Sequence, residues 1–210
     1  MAYWNFQRAP GFFDEVCFTD SGSAMTIPHN LTVAPEMIIT KMRNAAGDWL
    51  VGATLLSSNW TYGVFLNATL ASDVIGNVFN STAPTSSNFQ WAYGLTGKTF
   101  VADLFASCPN VSKVGSYTGN GTTQTINCGF TGGARFVLIK RTDSTGDWYV
   151  YDTARGMTTL TDPYLRLNST AAESATLGSV TSVTTGFAVN ASILAAINTN
   201  GASYIYLSIA

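Results

Sequence analysis

The feature that most constrains this chain is a hairpin pattern written twice. Arg135-Phe136-Val137-Leu138-Ile139-Lys140-Arg141 runs into the polar cluster from Thr142 to Gly146 and returns through Asp147-Trp148-Tyr149-Val150-Tyr151. Two β-rich, mostly apolar runs around an Asp/Ser/Thr/Gly cluster predict a β-hairpin, in whose turn Gly146 can take φ > 0 at little cost. The outgoing run is apolar on both alternating faces, so it is expected inside a sheet and not at its edge. Upstream, at one constant offset, Met37-Ile38-Ile39-Thr40-Lys41 leads through Asn44-Ala45-Ala46-Gly47 into Asp48-Trp49-Leu50-Val51. Lys41 thus answers to Lys140, Gly47 to Gly146, Asp48 to Asp147 and Trp49 to Trp148.

The correspondence extends beyond the hairpins. Phe18-Thr19-Asp20-Ser21-Gly22 matches Tyr117-Thr118-Gly119-Asn120-Gly121, and Leu66-Asn67-Ala68-Thr69 matches Leu167-Asn168-Ser169-Thr170. Thr99-Phe100-Val101-Ala102 matches Ser203-Tyr204-Ile205-Tyr206. Tyr3-Trp4-Asn5-Phe6 reads as an entry strand, and Phe12 to Phe18 as a second extended run. Apolar helical periodicity is weak throughout, Ser192-Ile193-Leu194-Ala195-Ala196-Ile197 being the best helical candidate. Short strands with Gly/Pro/Asn turns predict an all-β chain of tandem duplicated, jelly-roll-like β-sandwiches, residues 1–108 with the entry strand and residues 109–210. The repeat is too long for a solenoid, so tandem modules are expected, with an interlocked pair as the alternative.

Charge removes several classes of function. The chain has 210 residues, a formal net charge of -2 and only 10% charged residues, so it lacks the clustered Lys/Arg that nucleic acid requires. No apolar run is long enough to span a bilayer, which argues against membrane insertion. Met1-Ala2-Tyr3-Trp4 lacks the basic start and apolar centre of a secretory signal, so a soluble chain without export is expected. The Asn-x-Ser/Thr triplets at Asn30, Asn59, Asn67, Asn80, Asn110, Asn120, Asn168 and Asn190 then read as turn chemistry and not as glycan acceptors. Cys17, Cys108 and Cys128 do not fall at repeat-equivalent positions and are expected as free thiols.

The inventory for catalysis is poor. His29 is the single histidine and aligns with Cys128, which suggests a packing position. No CxxC, HExxH or acidic calcium loop is present, so no metal ligands, no cofactor and no catalytic residues are assigned. Asp48 and Asp147 are expected to accept hydrogen bonds within their turns. Trp49 and Trp148, present in both copies, are expected as core anchors. Aromatics without a counterpart make better binding candidates: Trp60 with Tyr62, and Trp91 with Tyr93, where an exposed indole would need a reason. Asp152 and Arg155, with Tyr164 beyond the loop, form a similar cluster, and each of these residues could equally be a subunit contact.

Ala9-Pro10-Gly11-Phe12-Phe13-Asp14, Tyr117-Thr118-Gly119-Asn120-Gly121-Thr122 and the run from Phe136 to Trp148 resemble repeat modules in structural proteins of tailed bacteriophages. Leu167-Asn168-Ser169-Thr170 and Ser203-Tyr204-Ile205-Tyr206 fit the same pattern. The resemblance implies a non-enzymatic virion protein assembled in the host cytoplasm, a tail-fibre or appendage module for host adhesion or tail attachment. Its expected partners are other virion proteins, bacterial surface glycan and further copies of itself, with a trimer favoured. A capsid decoration or head-fibre protein is the alternative, and a glycan-cleaving tailspike-like enzyme a more distant one. The family supplies no catalytic residues to carry over.

Overall fold

A computed structural model describes residues 4–158 and 161–210. Almost every regular element is an antiparallel β-strand, and among the described residues the one helical turn is a 3-10 turn at Ala195–Ile197, inside the stretch expected to be helical. By contacts the chain divides into two compact units, residues 1–63 with 73–107, and residues 64–72 with 108–210. The division falls next to the expected boundary at residue 108, but residues 64–72 group with the second unit.

In the first unit the strands are β1 (Phe13–Thr19), β2 (Met25–Pro28), β3 (Met37–Met42), β4 (Trp49–Ala53), β5 (Tyr62–Phe65, whose last two residues group with the second unit), β6 (Asp73–Val74), β7 (Asn88–Trp91) and β8 (Thr99–Phe105). They form a six-stranded sheet in the order β1-β8-β3-β4-β5-β6 and a two-stranded sheet of β2 and β7. The expected entry strand does not form: Trp4 to Arg8 carry no strand, and Tyr3 lies outside the described residues. The two sheets meet through aromatic rings, because alternate residues of each strand point the same way. Phe18 lies 5.1 Å from Trp91, and Trp91 4.8 Å from Phe100, between ring centroids.

In the second unit the strands are β9 (Ser112–Thr118), β10 (Thr123–Asn127), β11 (Phe136–Arg141), β12 (Trp148–Asp152), β13 (Asp162–Arg166), β14 (Ser174–Thr176), β15 (Val180–Val183), β16 (Gly186–Asn190) and β17 (Ser203–Ile209). Their six-stranded sheet runs β14-β13-β12-β11-β17-β9, and a three-stranded sheet runs β10-β16-β15. Taken from its other edge, this is the strand order of the first unit, with β9 in the place of β1, β17 of β8 and β11 of β3. As expected from its two apolar faces, β11 is internal, paired with β12 and β17. The core takes Val137 and Ile139 from β11, Tyr204 and Tyr206 from β17, and Phe187 and Val189 from β16.

At several glycines, Gly52 and Gly146 among them, close approach and not φ disfavours a side chain. Gly146 does not use its freedom to take positive φ; a Cβ there would sit 3.0 Å from Arg141 Cβ. On β4, a Cβ at Gly52 would lie 2.5 Å from Phe79 Cε2 and 2.9 Å from Trp60 Cε3. Gly52→Ala is therefore expected to destabilise the first unit by about 1–3 kcal/mol through overpacking, read as a lower urea midpoint at unchanged m-value.

Candidate functional site

The nominated aromatics separate by environment. Trp60 and Trp91 are fully buried, which corrects the expectation of an exposed indole in the Ser-Ser-Asn loop. Trp60 takes φ 59°, and that left-handed turn swings its ring inward to an edge contact with Phe79 at 5.2 Å. Its Nε1–H lacks a hydrogen-bond partner, the sole buried side-chain polar atom so placed among the described residues. Trp91 donates to Asp20 Oδ2 at 3.0 Å, and Asp20 also accepts from the backbone N–H groups of Gly22 and Leu95. Tyr62 and Tyr93 remain exposed, Tyr62 in register with exposed Val74 and Tyr93 against Trp91 at 5.7 Å. Each pair therefore splits into one core residue and one surface residue.

The second cluster is bonded to itself. Arg155 donates through Nε to Asp152 Oδ2 at 2.6 Å, through Nη1 to Glu173 Oε2 at 2.9 Å and through Nη2 to the Val150 carbonyl at 3.0 Å. A guanidinium so occupied closes the loop after β12 and offers little to a ligand. Tyr164 packs on Tyr149 and Tyr151 at 5.4 and 5.5 Å.

His29, Cys128 and Asp147 are also engaged in the fold. His29 Nδ1 accepts from Leu31 N–H and Nε2 donates to the Thr85 carbonyl, which fixes a neutral ring whose pKa burial holds down. His29 and Cys128 are both buried, as a packing position requires, and the three cysteines are unbridged. Asp147 does not serve its own turn's backbone; its Oδ1 accepts from Asn168 Nδ2 at 2.7 Å and its Oδ2 faces Arg166 at 3.4 Å. Among the described residues no group of His, Cys, Asp and Glu is arranged to hold a metal ion.

One carboxyl is perturbed by geometry. Asp103 on β8 lies opposite Glu15 on β1, and burial together with that carboxylate raises its pKa to about 6. The folded state then holds this proton more tightly than the unfolded state does. The side chain costs no stability below about pH 4, an increasing amount as pH rises towards 6, and the full amount above. Asp103→Asn is expected to raise the melting temperature at pH 7.5, with the advantage gone at pH 4; an equal shift at both would contradict the assignment.

A concavity that combines access with varied chemistry lies on the three-stranded sheet. A groove of about 240 Å³ is lined by Thr123 on β10, Thr181 on β15, Ala188, Val189 and Asn190 on β16, and the turn residues Leu177 and Gly178. Leu177 is 72% exposed and stands beside hydroxyl and amide groups. Its turn is anchored by Asp162, which is fully buried and accepts from Thr176 Oγ1 at 2.8 Å, Gly178 N–H at 2.8 Å, Val180 N–H at 2.9 Å and the Ser179 hydroxyl. The lining contains no titratable side chain. Such a surface can bind a neutral polar ligand by hydrogen bonding and apolar contact. None of the nominated residues lies in it, and its residue types are too common in β-proteins to stand out; only the pairing β10-β16-β15 brings them together.

The second hairpin carries a docked segment. Trp148 Nε1 donates to the Phe65 carbonyl at 2.8 Å, and Gly146 N–H to the Thr69 carbonyl at 2.8 Å. Lys140, fully buried, donates to the carbonyls of Arg141 at 2.8 Å, Gly146 at 3.0 Å and Thr69 at 3.3 Å. Three acceptors match the three hydrogens of an ammonium, while burial lowers its pKa to about 8. Trp148 is sealed, but Trp49 is 37% exposed, so the expectation of a core anchor holds for one tryptophan and fails for the other.

A family profile described as Domain of unknown function (DUF7483) matches residues 7–210. No curated protein and no solved structure matched the chain.

Proposed function

We propose that this chain, which belongs to the DUF7483 family, is a non-enzymatic structural component of a tailed-phage virion, an appendage module that meets other surfaces through neutral side chains. The observation that carries the reading is the groove beside Leu177: hydroxyl, amide and aliphatic groups, and no acid, base or nucleophile of perturbed reactivity among its lining. Elsewhere Asp20, Asp162, Arg155 and Lys140 are spent on hydrogen bonds that hold turns. The shared strand order of the two six-stranded sheets supports an origin by tandem duplication. The repeated hairpin's resemblance to phage structural modules supplies the virion context.

A neutral groove of this size suits one or two sugar rings, whose hydroxyls exchange hydrogen bonds with Thr and Asn while a ring face rests on Leu177. We therefore name bacterial surface glycan as the ligand class. Affinity at one shallow site is weak, and several copies on one particle would raise it by avidity. The test is a bacterial glycan array probed with multivalent protein, beside mass spectrometry of purified virions. Retained glycan signal that falls in Leu177→Asp, with the chain present in virions, is expected. Absence from virions would sink the virion assignment; presence without glycan binding would sink adhesion and leave attachment within the particle.

A further inference from the structure

We infer that the hairpin of β3 and β4 is a docking site for residues 166–173 of a second copy of this chain, giving a head-to-tail contact. The reasoning starts from the docking already present inside the second unit. There, residues 65–72 lie on the β11–β12 hairpin: the Phe65 carbonyl takes Trp148 Nε1–H, the Thr69 carbonyl takes Lys140 and Gly146 N–H, and Ser72 N–H donates to the Thr142 carbonyl at 2.8 Å. Both partners in this contact have counterparts.

The counterpart of the accepting hairpin is built alike. Lys41 donates to the carbonyls of Met42 at 3.2 Å and Gly47 at 3.0 Å, as Lys140 does to those of Arg141 and Gly146. The third hydrogen of Lys140 goes to the docked segment. Arg43 to Trp49 are all exposed, whereas Thr142 and Trp148 are buried. The counterpart of the docked segment is also built alike. Phe65 and Ala68 close a turn through Ala68 N–H to the Phe65 carbonyl at 3.2 Å, and Arg166 and Ser169 close the same turn at 3.1 Å. Ser169 to Glu173 are exposed.

Charge selects the occupant. Where Ser72 meets Thr142 within the chain, the equivalent residues are Glu173 and Arg43, of opposite sign. A segment 166–173 laid on the first hairpin as 65–72 lies on the second would bring that carboxylate, whose Oε2 already accepts from Arg155 at 2.9 Å, to that guanidinium as a second cationic partner. It would also bring the Arg166 carbonyl to the Trp49 indole and the Thr170 carbonyl to Lys41. The contact is heterologous, so it builds a ring if the rotation between copies closes and a filament if it does not. It does not depend on the virion reading or on glycan binding.

Sedimentation velocity on the full chain over a concentration series tests this. The weight-average mass of the wild-type protein should rise with concentration, and Trp49→Ala should weaken association by about tenfold or more. Arg43→Glu and Glu173→Arg should each suppress association alone, by placing like charges together. An equimolar mixture of the two should restore it, because every contact between unlike copies is then complementary. Circular dichroism melts establish that each variant is folded. A wild-type chain that stays monomeric at every concentration would overturn the inference. So would an oligomer indifferent to all three substitutions, or two charge variants that fail to rescue each other.

Discussion

Trp148→Ala is expected to cost about 3–5 kcal/mol, and Trp49→Ala no more than about 1 kcal/mol, although the two positions are equivalent in sequence. The larger cost has two sources. The indole of Trp148 is fully buried, so truncation leaves a cavity, and its Nε1–H bond to the Phe65 carbonyl is lost with it. The Phe65 carbonyl then keeps the N–H of Ala68, at 3.2 Å. Trp49, at 37% exposure, loses cover over the Lys41 side chain, whose Nζ lies 6.0 Å from its ring, and less buried surface than Trp148 does. Equilibrium denaturation of the two single variants decides the matter. Equal losses would mean that the docked segment contributes nothing in solution. A change in m-value for Trp148→Ala alone would point to release of that segment before the rest of the unit unfolds.

Asp162→Ala is expected to destabilise the second unit by about 3 kcal/mol or more and to abolish the groove. Two backbone N–H groups and two hydroxyls lose their acceptor at once, and a buried donor left unsatisfied costs about 1–3 kcal/mol. The loss should be local before it is global. Hydrogen exchange at Gly178 and Val180, whose amides Asp162 holds at 2.8 and 2.9 Å, should accelerate while exchange in β11 stays slow. Asp162→Asn keeps one carbonyl oxygen and should fall between wild type and alanine. Unchanged protection of Gly178 in the alanine variant would show that the turn stands without its carboxylate. Any glycan binding that survives a melted turn would place the ligand somewhere other than beside Leu177.

How much of this was legible depended on the range over which each feature is decided. The β11–β12 hairpin could be read because alternation and a polar turn cluster act over a few residues. The internal place of β11 could be read because two apolar faces demand cover on both sides. The fate of Trp60 could not be read, because a left-handed backbone at a non-glycine residue reverses the direction that a Ser-Ser-Asn loop suggests. The nearness of Asp152 to Arg155 in sequence pointed to their ion pair, but not to Glu173 and the Val150 carbonyl, which already occupy the guanidinium. The groove had no signal at all, since threonine, alanine and asparagine are ordinary residues in β-strands.

By itself the amino-acid order determined an all-β chain with two alike hairpins, a scarcity of charge and the absence of metal or nucleophile motifs. These are consequences of side-chain period, turn chemistry and residue type, which are local. Tertiary structure alone decided which of two equivalent tryptophans is sealed, which lysine gains a third carbonyl, and where a neutral groove opens. Those outcomes turn on which distant segment covers which strand. Residues 64–72 lie on the second hairpin while the first stays exposed, and a pattern common to both could not distinguish them.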